Sequence, residues 1–133
     1  MIPNLTDEGY LPPGIHLATV DEIIARFGRD SELRQVQMES LVWMVELAQR
    51  AGAERIVING SFVTDKLEPN DIDCVLLIGE RFPLDKTAEA ELLGGIPFVN
   101  LELVDEEAFR ILTEKTFATD RDSVPKGMIE VSS

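Results

Sequence analysis

Two short motifs in the middle of the chain carry side chains that could do chemistry. Gly60-Ser61 directly follows one apolar run, and Asp71-Ile72-Asp73 directly precedes a second one. Asp71 and Asp73 are two residues apart on a predicted strand, so their side chains leave the same face. Two neighbouring carboxylates repel each other unless a cation or a proton lies between them. The spacing therefore predicts a site for a divalent metal ion that carries a phosphate.

A third acid lies in a later apolar segment, where Glu102 stands between Leu101 and Leu103. If the two leucines face the core, Glu102 faces the other side of its strand. If this strand also lies beside the predicted strand at residues 72–78, Glu102 could join Asp71 and Asp73 around one or two Mg²⁺ ions. The alternative is that Glu102 is only the exposed residue of an alternating edge strand.

Each motif also has a purely structural interpretation. Gly60-Ser61 could simply end a strand, and the residues before Asp71 are strong turn formers. Asp73 is harder to explain in this way, because an acid inside an apolar stretch is costly without a partner. Lys66 lies in the loop between the motifs, where it could touch a phosphate or be an ordinary solvated lysine.

The surrounding pattern predicts an α+β domain of the α/β type, a small mixed β-sheet packed with helices. Helices are predicted from a capping box at Thr19 to residue 27, from Asp30 or Ser31 to Gly52, from Asp85 or Thr87 to residue 93, and from Asp105 to residue 117. Strands are predicted at residues 55–60, 72–78 and 97–104, with a short edge strand at 128–131. Residues 1–18 are predicted to be an extended, proline-rich lead-in, and residues 1–133 to form a single domain.

The composition excludes several classes of protein. Among 133 residues, 25 are acidic and 12 basic, which gives a formal net charge of −13. This charge argues against nucleic-acid binding by the isolated chain, but not against a nucleotide escorted by Mg²⁺ or a basic protein partner. No segment has the length and apolarity of a membrane span, and the N-terminus lacks the pattern of a secretory signal. The single cysteine, Cys74, is predicted to be a small core residue, and the expected location is the cytoplasm.

Gly60-Ser61, the loop that follows, Asp71-Ile72-Asp73 and the later acid Glu102 resemble the nucleotidyltransferase superfamily of the DNA polymerase β type. In size the chain is similar to the minimal bacterial members. The resemblance implies that Gly60 and Ser61 accommodate nucleotide phosphates, with Lys66 as a further contact. It implies that Asp71 and Asp73 ligate Mg²⁺, and that Glu102 holds a second ion or accepts a proton.

The implied reaction transfers a nucleoside monophosphate from an NTP such as ATP to a hydroxyl group of a small molecule, a protein or an RNA end. Small members of the superfamily often act with a helical protein partner, as in toxin–antitoxin pairs, and a homo-oligomer is also compatible. The chain departs from the superfamily in its third acid, which is Glu102 where aspartate is more usual. The small size of the chain, which leaves little for an acceptor-binding region, favours the alternative of a non-catalytic module that binds a nucleotide or a partner.

Residues 1–4, 11–16 and 125–127 carry a second resemblance, to a group of small uncharacterised bacterial proteins classed with the same fold. This second likeness implies no activity.

Overall fold

The computed structural model describes residues 1–132, and Ser133, the last residue of the predicted domain, lies outside the described residues. One mixed sheet has the strand order β1-β5-β2-β3-β4. Its strands are β1 (Ile15–Ala18), β2 (Arg55–Asn59), β3 (Ile72–Leu77), β4 (Val99–Val104) and β5 (Met128–Val131). The helices are α1 (Val20–Phe27), α2 (Glu32–Ala51), α3 (Lys86–Leu93) and α4 (Glu106–Ile111), which continues as a π-helical turn over Leu112–Thr116. The predicted α+β class with a small mixed sheet is confirmed.

Side-chain caps begin the four helices. The Thr19 hydroxyl accepts from the amide of Glu22 while the Glu22 carboxylate accepts from the amide of Thr19, so the predicted capping box is present. Ser31, not Asp30, caps α2, and Asp85, not Thr87, caps α3. Helix α2 ends at Gly52, whose φ of 93° is the left-handed conformation that glycine tolerates best.

The sheet is covered on both faces, which explains why β2 and β3 are almost continuously apolar. On one face Ile58, Cys74 and Leu76 are buried in the larger core, together with residues of α1, α2 and α3. On the other face Val57 and Val75 pack against Phe109 of α4. This second helical cover is small, and it leaves the ends of β2, β3 and β4 nearest Asp73 beside an open cleft.

The predicted position of the last strand is wrong. Residues 128–131 do not form an edge strand, because β5 lies between β2 and a strand that the sequence pattern did not reveal. That strand is β1, which lies inside the predicted lead-in and pairs with β5 in parallel. The lead-in is therefore part of the domain, and Leu11 within it is fully buried.

Within residues 1–132, none of the helices has both the length and the apolar content that crossing a membrane requires.

Candidate functional site

Three polar residues form a row across the ends of three neighbouring strands. Asn59 of β2 is the register partner of Asp73 in β3, and Asp73 is the register partner of Asn100 in β4. Register partners leave the same face of a sheet, so the three side chains are neighbours. Asp71, two residues before Asp73, shares that face.

Asn100 brings the two predicted carboxylates together. Its Nδ2 donates to Asp71 Oδ2 at 2.7 Å and to Asp73 Oδ1 at 3.2 Å. The predicted pairing of Asp71 with Asp73 is therefore present, and the group that joins them is an amide that the sequence analysis did not single out. The sequence does contain a signal for this role, because Asn100 precedes Glu102 by two residues on an alternating strand and therefore shares its face.

The turn at Gly60-Ser61 lies against Asp73. Gly60 has φ 82° and ψ −164°, a combination that is essentially restricted to glycine. A β-carbon at Gly60 would also overlap the Asp73 carboxylate. The chain then enters a short 3₁₀ turn, Ser61–Val63. Glycine at position 60 is thus required both by the backbone and by the closeness of Asp73.

Ser61 and Asp73 both face an open cleft of about 840 Å³, a size that suits a small-molecule ligand. One end of the cleft is formed by the sheet, one wall by the N-terminal segment and the other by the loop between the π-helical turn and β5. The residues that line it are Tyr10, Gly60, Ser61, Asp73, Thr116, Phe117, Thr119, Asp120, Arg121, Asp122 and Lys126.

The surroundings of Asp73 act on its pKa in opposite directions. Burial raises the pKa of Asp73, the hydrogen bond from Asn100 lowers it, the charge of Asp71 raises it and the charge of Lys126 lowers it. Lys126 is thus close enough to act on Asp73, and it lines the same cleft. The cleft is lined by charges of both signs, two basic residues and three acidic ones: Arg121, Lys126, Asp73, Asp120 and Asp122.

Two of the predicted site residues lie elsewhere. Lys66 is exposed and does not line the cleft, although its backbone carbonyl accepts from Arg34 Nε at 3.1 Å. Glu102 is on the expected strand and face, but its register partner is Val75, one side-chain repeat beyond Asp73, and it is exposed. In the described part of the chain, no three acidic, histidine or cysteine side chains are placed to share a metal ion, so the predicted group of three carboxylates does not form.

Two side chains of α2 hold the loop between the two motifs through hydrogen bonds to its backbone. Arg34 is almost fully buried, and its guanidinium donates to the carbonyls of Phe27, Phe62, Thr64 and Lys66. Gln37 Nε2, one turn later, donates to the carbonyl of Pro69 at 2.6 Å. Apart from the 3₁₀ turn, the connection from Ser61 to Asp71 contains no regular secondary structure in the described residues. These hydrogen bonds from α2 hold it in place.

A side-chain hydrogen bond joins the two walls of the cleft, from the Tyr10 hydroxyl to Asp120 Oδ2 at 2.7 Å, and the amide of Gly127 donates to the carbonyl of Leu11 at 2.9 Å. The bond between the two side chains raises the pKa of Tyr10 and lowers the pKa of Asp120. Asp120 Oδ1 also accepts from the amides of Asp122 and Val124, which shapes the loop. The cleft is therefore bounded by two segments that are far apart in the sequence.

Comparison with known families gives one match. The sequence profile of a family of unknown function, DUF6932, matches residues 3–132. The chain belongs to this family. The match includes both walls of the cleft as well as the sheet, so the DUF6932 unit contains every residue of the candidate site. No curated protein and no solved structure matched the chain.

The donor set of this DUF6932 site fits a hard divalent cation. Asp71 and Asp73 offer carboxylate oxygens, the ligands that Mg²⁺ prefers, and Asn100 Nδ2 holds the two carboxylates together. Mg²⁺ keeps several of its waters and is commonly held by one or two carboxylates together with the phosphates of a substrate. Two carboxylates joined by one amide beside an open cleft meet that requirement without a third acid.

Proposed function

We propose that this DUF6932 protein is a Mg²⁺-dependent nucleotidyltransferase that transfers a nucleoside monophosphate from an NTP to a hydroxyl acceptor. The proposal depends on one observation: Asp73, which Asn100 joins to Asp71, lines the cleft that also contains Ser61 and Lys126. Paired carboxylates and a lysine at one cleft suit a ligand that carries both a metal ion and phosphates.

The phosphate end of the nucleotide would lie over Gly60-Ser61. Gly60 leaves room for the Asp73 carboxylate beside the turn, and the Ser61 hydroxyl can donate to a phosphate oxygen. Lys126 would neutralise part of the charge of the phosphates. We assign this role to Lys126 in preference to Lys66, because Lys126 lines the cleft and Lys66 does not.

Asp71 and Asp73 would hold the Mg²⁺ ion, with Asn100 keeping the two carboxylates side by side. When bound, the ion would neutralise charge on the triphosphate and on the pyrophosphate that leaves. Phe117 and Tyr10, on opposite walls, offer aromatic surface on which a base could stack. The acceptor would enter through the open side of the cleft, either as a small molecule or as a segment of a partner protein.

A second candidate function is a non-catalytic module that binds a nucleotide or a partner protein on the same fold. The observation in its favour is Asn100, a neutral side chain beside the two carboxylates where an enzyme of the implied type would carry a third acid. Under either proposal the protein would work in the cytoplasm, alone, as a homo-oligomer or with a helical partner as in toxin–antitoxin pairs.

Calorimetric titration with ATP, GTP, CTP and UTP, with and without Mg²⁺, tests both proposals. We expect binding of at least one nucleotide that requires Mg²⁺ and is lost in the double variant Asp71→Asn/Asp73→Asn. The double variant Asp7→Asn/Asp21→Asn changes the net charge equally at exposed positions outside the cleft, and should bind as the wild type does.

Pyrophosphate release then separates the two functions. Release in the presence of a hydroxyl acceptor or of cell extract, lost in Asp71→Asn/Asp73→Asn, would support the enzyme. Tight binding with no pyrophosphate release under any of these conditions would favour the module. Failure of the folded protein to bind any nucleotide would contradict the enzyme and the nucleotide-binding module alike.

A further inference from the structure

We propose that the cation site is a mixed carboxylate and amide site for a single divalent ion, in which Asn100 positions the two carboxylates and Asn59 completes the surroundings of Asp73. The inference rests on the proposed function for the identity of the ligand that the ion carries, namely nucleotide phosphates. It goes further by setting the number of ions and by assigning two asparagines to the site.

Asn100 lies in register with one of the paired carboxylates. It is the register partner of Asp73, so it occupies the position on β4 from which a side chain reaches both Asp71 and Asp73. Glu102 lies one side-chain repeat farther along the strand, beside Val75. The acid on β4, Glu102, is therefore out of register with Asp73, and the amide of Asn100 is in register with it.

The buried amide of Asn59 is unpartnered in the described part of the chain. Asn59 is 1% exposed, and neither its Nδ2 nor its Oδ1 has a hydrogen-bond partner within residues 1–132. Buried polar groups in proteins are almost always satisfied, so an amide with both ends free indicates a missing partner. Asn59 is also the register partner of Asp73 and leaves the same face of the sheet.

A hydrated cation on Asp73 would satisfy the carbonyl end of Asn59. Water bound to a metal donates hydrogen bonds, which Oδ1 can accept. Mg²⁺ retains waters of this kind when only one or two carboxylates bind it. A cation held on the sheet row Asn59–Asp73–Asn100 thus accounts for an otherwise unexplained buried carbonyl.

The available ligands also limit the number of ions. Two divalent ions in one site lie roughly 3.5–4 Å apart and repel each other strongly, so such sites need several anionic ligands. Here the described residues supply two carboxylates in contact with Asn100, and the amides beside them are neutral. The site therefore has the protein ligands for one ion and lacks the third carboxylate that would hold a second.

The test uses Mn²⁺ as the probe, because the electron paramagnetic resonance signal of the free ion counts bound ions directly. Mn²⁺ is titrated into the full chain, first alone and then with a non-hydrolysable ATP analogue. The wild type is compared with Asn100→Leu, Asn59→Leu, Asn100→Asp and, as a matched control for the added charge, Asn4→Asp. Circular dichroism and thermal melting establish that each variant is folded, and Glu102→Gln is added to test the out-of-register acid.

We expect one Mn²⁺ per wild-type chain. Asn100→Leu removes the amide that positions the carboxylates, and should weaken Mn²⁺ binding by about 10- to 100-fold. Asn100→Asp supplies a third carboxylate in register, and should either admit a second ion or tighten the first by about tenfold. Asn4→Asp and Glu102→Gln should both bind as the wild type does, and Asn59→Leu should weaken binding in the same direction as Asn100→Leu.

The outcomes separate this inference from the proposed function. Two ions in the wild type, with one lost in Glu102→Gln, would overturn the single-ion site. So would Mn²⁺ binding that a folded Asn100→Leu leaves unchanged, even if Mg²⁺-dependent nucleotide binding is present. Conversely, a single Asn100-dependent Mn²⁺ site whose affinity no nucleotide improves would support the cation site and contradict the nucleotidyltransferase.

Discussion

Gly60 is the residue whose substitution should affect structure and site together. Gly60→Ala places a methyl group against the Asp73 carboxylate and forces a non-glycine residue to adopt φ 82°. We expect a loss of about 1–3 kcal/mol in the free energy of unfolding, and weaker Mg²⁺-dependent nucleotide binding because Asp73 must move. Urea denaturation and calorimetry measure the two effects.

Gly95 provides the matched control for this substitution. It also has a positive φ, 95°, but a β-carbon there would meet nothing within 4 Å. Gly95→Ala should therefore carry only the backbone strain and leave nucleotide binding unchanged. If the two variants bound nucleotide equally well, the contact between Gly60 and Asp73 would have no functional role.

The candidate site was only partly predictable from the sequence. The pairing of Asp71 with Asp73 and their closeness to Gly60-Ser61 follow from strand alternation and from the two strands that the loop connects. The residue on β4 that meets Asp73 was not predictable. Strand alternation places Asn100 and Glu102 on the same face, and only the register decides which one lies beside Asp73. The sequence allows Lys126 to be either a substrate contact or a turn residue before the last strand, since its approach to Asp73 depends on a contact far along the chain.

Cys74 should be inert in the folded protein. It is 1% exposed, and burial raises the pKa of its thiol, so the reactive thiolate is scarce at neutral pH. We expect no measurable reaction with Ellman's reagent at pH 7.5 in native buffer and complete reaction in guanidinium chloride. Rapid reaction of the native protein, with its circular dichroism unchanged, would contradict the packing of β3 against the larger core.

At the scale of elements, Arg34 holds the connection between the two motifs. Arg34→Met keeps much of the side-chain volume but deprives four backbone carbonyls of their donor. We expect the free energy of unfolding to fall by about 3 kcal/mol or more, because buried carbonyls without donors are costly. Arg29→Met, at an exposed arginine, is the control and should change stability little. Urea denaturation of the two variants makes the comparison, and equal stabilities would show that water can replace the guanidinium.

The elements themselves were predictable to different degrees. The helices carried local signals, such as the capping box at Thr19 and the terminal Gly52, and the structure shows both. Strand β1 carried none, because Ile15 and Leu17 face outward at the sheet edge and follow a proline-rich segment. Missing β1 then made β5 look like an edge strand, although β5 pairs on both sides. Errors of this kind arise because strand neighbours are set by long-range pairing.

At the scale of the whole molecule, a side-chain hydrogen bond between Tyr10 and Asp120 links the two walls of the cleft. Tyr10→Phe removes the bond to Asp120, which lies 110 residues away in sequence. We expect the global free energy of unfolding to fall by only about 1 kcal/mol, because the contact is partly exposed. Amide hydrogen exchange in residues 118–126 should instead become clearly faster, since this loop would open locally. Unchanged exchange there would mean that the backbone hydrogen bonds of the loop hold the cleft wall without Tyr10.

The net charge of −13 sets how the whole molecule responds to salt. Self-repulsion of such a chain opposes the compact state, and added ions screen it. Ion pairs act in the opposite direction, but those among the described residues are few and mostly at the surface, as between Arg50 and Asp85 at 3.3 Å. Screening of repulsion should therefore dominate. The melting temperature should rise by several degrees as NaCl is increased from about 0.01 M to 1 M, over which the screening length falls from about 30 Å to 3 Å.

Sodium chloride is the suitable salt for this experiment because sulfate would stabilise the protein through exclusion from its surface. A set of charge-neutralising variants at exposed acids away from the cleft, Glu39→Gln, Glu46→Gln and Glu114→Gln, should raise the melting temperature at low salt and reduce its salt dependence. Measuring nucleotide affinity over the same range of NaCl concentrations separates the effect of salt on function from its effect on stability. Salt screens the attraction between phosphates and Lys126, so nucleotide affinity should fall while the melting temperature rises. A melting temperature that falls with NaCl would show that the surface ion pairs outweigh the net repulsion.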